Sequence, residues 1–234
     1  MKSQLYLYPQ LRNILKGQIL SFSKTFNERL FPAFNNIENE AEEYTEKIYE
    51  KFCENCFSEY VDLADLADSA MDKGVAYYSE LNLVHYSFTA MSISSLYHLW
   101  EQQVRKFLFD EMRHTYKLDF KTFCVHGITE IKEFFKHHNI DLETLSVWDK
   151  IDELRLLCNV IKHGDGKSAD ELKSKNSNLF RESFLSEEFT LPLDTTLLEE
   201  NLIINQLLFN EYAGILSCFW EELPERCYSD KIAR

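Results

Sequence analysis

The sequence predicts an all-α protein, built as a helical bundle of long antiparallel helices. Its 234 residues include only six glycines and four prolines, so few positions would interrupt a helix. Apolar residues recur at intervals of three and four along extended stretches, which is the spacing of one face of a helix. No GxGxxG or GxxxxGK[ST] motif indicates a nucleotide-binding α/β fold. Because 45% of the residues are apolar, the chain can fill one core, and we expect a single domain over residues 1–234.

The N-terminal half is predicted to contain three long helical segments. Residues 10–31 form a helical arm, within an N-terminal arm of residues 1–36 that packs on the body or on a partner. Residues 38–71 have the pattern of one long amphipathic helix with an acidic outer face. Gly74 is expected to break the helical pattern, which is strongest over residues 83–115.

Two helices are predicted in the middle of the C-terminal half. Residues 127–137 form the first, which ends in cationic side chains that suit the negative end of the helix dipole. The second covers residues 145–163, and Gly164 is placed to end it in the left-handed conformation.

Three weaker signals follow. Residues 169–174 fit another helical turn, and residues 188–193 fit an extended segment. A capping box at residues 196–199 predicts the start of a last helix, which would end near Trp220.

The charge distribution limits the size of any nucleic-acid contact. A net charge of −14 argues against a broad phosphate-binding surface. Residues 37–80 hold thirteen acidic and three basic side chains, whereas residues 150–181 hold seven basic and five acidic ones. A small local phosphate contact is compatible with the second segment, and a solvated loop of mixed charge is the alternative.

The sequence shows no export signal, no apolar run of roughly 20 residues and no cofactor motif. We therefore expect a soluble, cytoplasmic protein without a membrane contact, and its six cysteines should be reduced and mostly buried. Cys53 and Cys56 form a CxxC motif, but no second motif completes a zinc site, so core thiols are favoured over metal binding. We expect neither a metal ion nor another cofactor.

The most informative motif is the polar stripe, which we define as Arg155, Asn159 and His163. These residues are four apart on an otherwise apolar helix, so they lie about one turn apart on nearly the same face. RNA cleavage without metal needs groups that move protons at the 2′-hydroxyl and the leaving oxygen, and a cation for the phosphate. Histidine titrates near neutrality, arginine binds phosphate oxygens through its planar fork, and an asparagine amide can orient either group. Nearby Lys162 and Lys167 are candidate substrate-binding residues.

Each residue of the stripe also has a structural interpretation. His163 can be a helix-terminal histidine favoured by the dipole, with Gly164 as the ordinary stop signal. Asn159 can bond a neighbouring helix in the core. Arg155 can pair with Asp152 or Glu101 as a packing ion pair.

The sequence Arg155-x3-Asn159-x3-His163-Gly164 resembles the late helix of the HEPN superfamily (higher eukaryotes and prokaryotes nucleotide-binding). The segment that contains Glu101 and Arg105 resembles the preceding core helix of that family, and these two residues would support the site. A local salt bridge is the alternative role for this pair, because their spacing is i, i+4.

The resemblance implies a metal-independent endoribonuclease of toxin–antitoxin, abortive-infection or other defence systems, with RNA as substrate. It also implies a homodimer that brings two motifs together, an antitoxin or defence protein as a possible partner, and products that end in 2′,3′-cyclic phosphate and 5′-hydroxyl. Seven residues separate Arg155 from His163, where the family has four to six, and Asp165 stands where some toxin members have a modified tyrosine. The rival hypothesis is a non-catalytic HEPN-like module that binds a protein partner or a nucleotide.

Overall fold

The computed structural model describes residues 3–55, 62–124, 127–181 and 201–229. In these ranges the chain is an all-α bundle with two short strands, which confirms the predicted fold class. The helices in chain order are α1 (Pro9–Thr25), α2 (Ile37–Glu54), α3 (Leu63–Met112), α4 (Phe120–Cys124), α5 (Ile128–His137), α6 (Trp148–His163), α7 (Lys167–Lys175) and α8 (Gln206–Glu222). The strands are β1 (Gln4–Tyr6) and β2 (Arg226–Tyr228), and short helical turns cover Phe26–Leu30, Phe31–Phe34, Leu142–Thr144 and Ser177–Leu179.

The N-terminal segment packs on the body of the protein. Helix α1 lies against α8 and α3 and buries Leu15 and Ile19. Strand β1 pairs antiparallel with β2, so that Leu5 lies opposite Cys227. The two ends of the described chain are therefore joined beside α3.

The prediction of one helix over residues 38–71 is wrong. Helix α2 ends at Glu54, and Asn55 follows it as the C-terminal cap. Helix α3 begins at Leu63, where the Asp62 carboxylate accepts a hydrogen bond from the backbone N–H of Ala64 at 2.9 Å. The asparagine and the aspartate satisfy helix-terminal backbone groups, and this local chemistry outweighs the continuous amphipathic spacing.

The prediction that Gly74 breaks a helix is also wrong. Gly74 lies inside α3, which continues from Leu63 to Met112. A Cβ atom at this position would lie only 1.7 Å from Thr45 Oγ1 on α2. The glycine therefore allows two antiparallel helices to approach closely, and the tertiary contact decides its place in the sequence.

The later helices follow the sequence signals more closely. Helices α5 and α7 confirm the helical segments predicted at residues 127–137 and 169–174. The last helix begins at Gln206 with an Asn205 cap, and residues 201–205 are not helical, so it does not run on from residue 196 as predicted. The capping box at residues 196–199 and the extended segment at residues 188–193 lie outside the described residues.

The core lies where α3, α6 and α8 meet. Trp100 of α3 packs edge-to-face on Phe219 of α8, with ring centroids 5.1 Å apart, and both side chains are fully buried. Such aromatic pairs bury a large apolar area and stabilise the contact further through their ring geometry. The core thus fixes α6 from one side. No helix in the described part of the chain has the length and apolar content required to cross a bilayer.

Candidate functional site

Helix α6 buries one face and leaves the other to polar side chains. Leu154, Leu157 and Val160 are fully buried against the core. Gly164 ends the helix with φ at 72°, and its N–H donates to the Val160 carbonyl at 2.7 Å. Gly164 is therefore the predicted stop signal, and glycine adopts its positive φ without a steric penalty, but its ψ of −145° lies outside the left-handed helical conformation that was expected.

The polar stripe lies on the outer side of α6, and exposure is highest at its C-terminal end. The Arg155 side chain is 26% exposed, Asn159 is half-buried, and His163 is exposed. Helix geometry places the Cα atoms of Arg155 and His163 about 12 Å apart along the axis and turned about 80° from each other. Asn159 lies between them along the helix.

Arg155 takes part in an ion-pair network. Its Nε atom donates to Asp152 Oδ1 at 2.9 Å, and Lys175 Nζ of α7 lies 3.0 Å from Asp152 Oδ2. Burial alone would raise the pKa of Asp152, but the hydrogen bonds and charges of Lys175 and Arg155 outweigh it and lower that pKa. The pairing with Asp152, one of the two structural roles open to Arg155, is therefore present. Its two Nη groups have no hydrogen bond to any residue that the structure describes.

Asn159 and His163 have fewer contacts. Asn159 Nδ2 lies 3.5 Å from Ser168 Oγ on α7, which is the long limit for a hydrogen bond. Asn159 therefore contacts a neighbouring helix, α7, as its structural interpretation predicts. His163 is exposed, and its ring has no hydrogen bond or ion pair within the described ranges.

The two candidate substrate-binding lysines are both exposed. Lys167 Nζ lies 3.4 Å from Glu171 Oε1, and the lysine side chain is 91% exposed. Such a pair between solvated side chains is weak and leaves the ammonium group free to exchange partners. The two lysines place exposed positive charge at the end of α6 and at the start of α7.

Glu101 and Arg105 form the local salt bridge that their spacing indicates. Arg105 Nη2 lies 2.9 Å from Glu101 Oε1, and His98 Nδ1 lies 3.6 Å from the other carboxylate oxygen. Burial raises the pKa of Tyr97 on α3, the Glu101 charge raises it further, and the Arg155 charge acts in the opposite direction. Helix α3, which carries this pair, packs against α6.

Cys158 is not available as a nucleophile. The side chain is buried, and burial raises its pKa to about 12, so the neutral thiol is the stable form. Cys53 is half-buried, and Cys56 of the CxxC motif lies outside the described residues. Within the described ranges, no group of three or more His, Cys, Asp or Glu side chains is placed to hold a metal ion.

Two contacts around the polar stripe come from residues that the sequence did not indicate: Ser168 contacts Asn159, and Lys175 contacts Asp152, the ion-pair partner of Arg155. Lys175 and Ser168 both lie on α7, which folds back onto α6 after Gly164 and Gly166. The two glycines have positive φ values of 72° and 151° and form a tight turn. That turn is the sequence signal that α7 returns along α6, although it does not indicate which α7 residues make contact.

Comparisons with protein-family models, with curated proteins and with solved structures found no match to this chain.

Proposed function

We propose that this protein is a metal-independent endoribonuclease of HEPN type that acts in a bacterial defence or toxin–antitoxin system. The observation that carries the proposal is the placement of His163. Its exposed ring lies at the end of the helix that also presents Arg155 and Asn159 outside the core. A histidine at the protein surface can exchange protons with a bound substrate, which a histidine enclosed in the core cannot do.

The groups of the stripe divide the reaction between them. Arg155 donates to Asp152 through Nε, which leaves its Nη groups to bind phosphate oxygens. Asn159 orients the phosphate or the imidazole, and His163 removes or returns a proton. Lys162 and Lys167 attract the RNA backbone over a short range, in keeping with the strongly negative net charge.

One stripe supplies one histidine, whereas cleavage with a cyclic phosphate product needs a base for the 2′-hydroxyl and an acid for the leaving 5′-oxygen. A two-fold homodimer with the ends of two α6 helices in contact would supply both. In that arrangement each subunit contributes His163, and the Arg155 side chains stabilise the phosphate between them.

The second candidate is a non-catalytic module that binds a protein partner. The Arg155–Asp152–Lys175 network favours it, because this network joins α6 to α7 and gives Arg155 a packing role. The long Arg155 to His163 separation and the acidic chain point the same way.

Cleavage of total RNA in excess EDTA tests the proposal. The wild-type protein is compared with His163→Ala, and His137→Ala is the matched control, because His137 is also exposed and also ends a helix. New 5′-hydroxyl ends are detected by kinase labelling, and 2′,3′-cyclic phosphates by resistance to alkaline phosphatase that is lost after acid opens the ring. We expect cleavage by the wild type and by His137→Ala, and a loss of at least about a hundredfold in His163→Ala.

Three results would reject the endoribonuclease. Equal cleavage by His163→Ala would place the activity elsewhere or in a contaminant. Cleavage that appears only with added metal would exclude the chemistry derived for the stripe. Intact RNA with folded, dimeric wild-type protein at high enzyme concentration would favour the non-catalytic module.

A further inference from the structure

A groove lies between α2 and the first half of α3, away from the polar stripe. It encloses about 670 Å³. Small residues form its floor, where Ala41 and Ala70 are buried and Gly74 packs on Thr45. Because the floor residues are small, the two helix backbones approach closely and the groove stays open above them.

One wall of the groove is apolar and exposed. Met71 is 63% exposed and Val75 is 59% exposed, one turn apart on α3. Within the described part of α3 before Tyr86, only Ala70 and Gly74 are buried. Two helices in contact through such small residues cannot cover their larger apolar side chains, and no third element of the described chain covers Met71 and Val75.

The other wall is acidic. Glu38, Glu42 and Glu46 lie four residues apart on α2 and are all exposed. None of them has an ion pair with a residue that the structure describes, whereas Glu43 on the neighbouring face pairs with Lys47 at 3.5 Å. Helix geometry spaces the three carboxylates about 6 Å apart in a row along the groove.

We propose that this groove binds a basic amphipathic helix of a partner protein. Apolar side chains of that helix would cover Met71 and Val75, and its lysines or arginines, four residues apart, would face the three glutamates. The groove is long enough for about three turns of helix, since its α2 wall spans residues 38–49.

The charge of this chain disfavours two other occupants. A second copy carries a net charge of −14, and a two-fold contact through this groove would oppose two rows of glutamates. The segment 182–200 contains six acidic and no basic residues, so the glutamates would repel it. The proposal does not depend on RNA cleavage, because no residue of the polar stripe lines the groove.

Fluorescence anisotropy with designed peptides tests the binding. The probe is a labelled helical peptide of about 18 residues, with leucines along one stripe and three arginines four residues apart beside it. One control peptide has glutamate for each arginine, and a second keeps the arginines but has glutamine for each leucine. We expect the basic amphipathic peptide to bind at least about tenfold more tightly than either control peptide.

Two sets of variants locate the binding. Glu38→Gln, Glu42→Gln and Glu46→Gln together should weaken it about tenfold, since each exposed pair contributes modestly. The matched control changes three glutamates of α2 outside the groove, which removes the same charge from the same helix and should have an effect below about twofold; it comprises Glu40→Gln, Glu43→Gln and Glu50→Gln. Met71→Gln with Val75→Gln should also weaken binding. Both positions are exposed, so circular dichroism should show unchanged helix content.

Photo-crosslinking from benzoylphenylalanine in place of Met71 identifies the occupant. Adducts with the peptide alone support the proposal. Adducts between two copies, or with residues 182–200 of the same chain, would assign the groove to those occupants and overturn it. The proposal would also be overturned if the two triple glutamine variants weakened binding equally, or if the peptide without leucines bound as tightly as the peptide with them. Either result would show unspecific charge attraction.

Discussion

Replacing Tyr212 by phenylalanine tests the network that holds α6 in place. The Tyr212 hydroxyl donates to Glu153 Oε1 at 2.9 Å, and the tyrosine is fully buried. Glu153 also accepts from Lys150 Nζ at 3.0 Å and from Asn176 Nδ2 at 3.1 Å, and its side chain is only 5% exposed. This single carboxylate therefore joins α6 to α8 and to the turn after α7.

The magnitude follows from what the substitution removes. A hydrogen bond to a charged group contributes about 1.5–3 kcal/mol to stability. Glu153 would keep Lys150 and Asn176 as donors, so the loss should lie near the lower end, at about 1.5–2 kcal/mol. The ring itself stays in place, and the missing oxygen leaves a void too small for a large cavity term.

Urea unfolding monitored by circular dichroism measures the change. Tyr8→Phe is the matched control, because Tyr8 is 37% exposed and should change the free energy of unfolding by less than about 0.5 kcal/mol. In Tyr212→Phe the midpoint should fall while the slope stays unchanged. A Tyr212→Phe protein as stable as the wild type would mean that water solvates Glu153, and the account of a buried network would fail.

Three further predictions concern other parts of the fold. Gly74→Ala should lower the free energy of unfolding by about 1–2 kcal/mol despite its better helix propensity, because the new Cβ meets Thr45, and a second change, Thr45→Ala, should restore part of the loss. Burial lowers the pKa of His138, so the unfolded state binds more protons below about pH 6.5. Stability should be complete above that pH and fall as the pH drops, by up to about 1.4 kcal/mol per pH unit, and His138→Gln should flatten this dependence in urea titrations. A thiol reagent should modify exposed Cys218 rapidly and buried Cys158 only on unfolding, and mass spectrometry of the native protein would contradict this if both react alike.

Local signals were sufficient to predict the body and the end of α6, although the helix begins at Trp148 and not at residue 145. The residues that bury its inner face, the polar residues outside and Gly164 at its end all act within the helix or one residue beyond it. The same holds for α5 and α7, which are short and have their own charged or polar ends. A helix whose apolar spacing and capping residues both lie within its own sequence can be recognised without knowledge of its neighbours.

The boundaries that could not be predicted depend on distant residues. Gly74 has the sequence signature of a break, but its role is set by Thr45 on another helix. The pairing of Leu5 with Cys227 joins residues at opposite ends of the chain, and strands of three residues leave too short a pattern to recognise. At the start of α3 a local signal was present, since Asp62 is a good cap, but the amphipathic spacing on both sides concealed it.

The candidate site also combines features that local spacing predicts with contacts that depend on distant residues. The stripe of Arg155, Asn159 and His163 and the Glu101–Arg105 pair follow from helical spacing alone. The contacts of Ser168 with Asn159 and of Lys175 with Asp152 depend on how α7 returns after the glycine turn, so spacing within α6 contains no information about them.

The ion pair of Arg155 does not by itself decide between catalysis and packing. The Arg155 and Asp152 side chains are 26% and 30% exposed, and ion pairs with this degree of solvent contact contribute about 1 kcal/mol or less. A bidentate contact with a phosphate is charge-assisted and of at least comparable strength, so a bound RNA can recruit the Nη groups without breaking the Nε contact. Asp152 would then act as a positioning residue that limits the rotation of the guanidinium. If Arg155 binds substrate, Asp152→Asn should therefore reduce cleavage, but by less than His163→Ala does. If Asp152→Asn instead lowers the amount of folded protein while each folded molecule cleaves RNA at the wild-type rate, the ion pair serves packing alone.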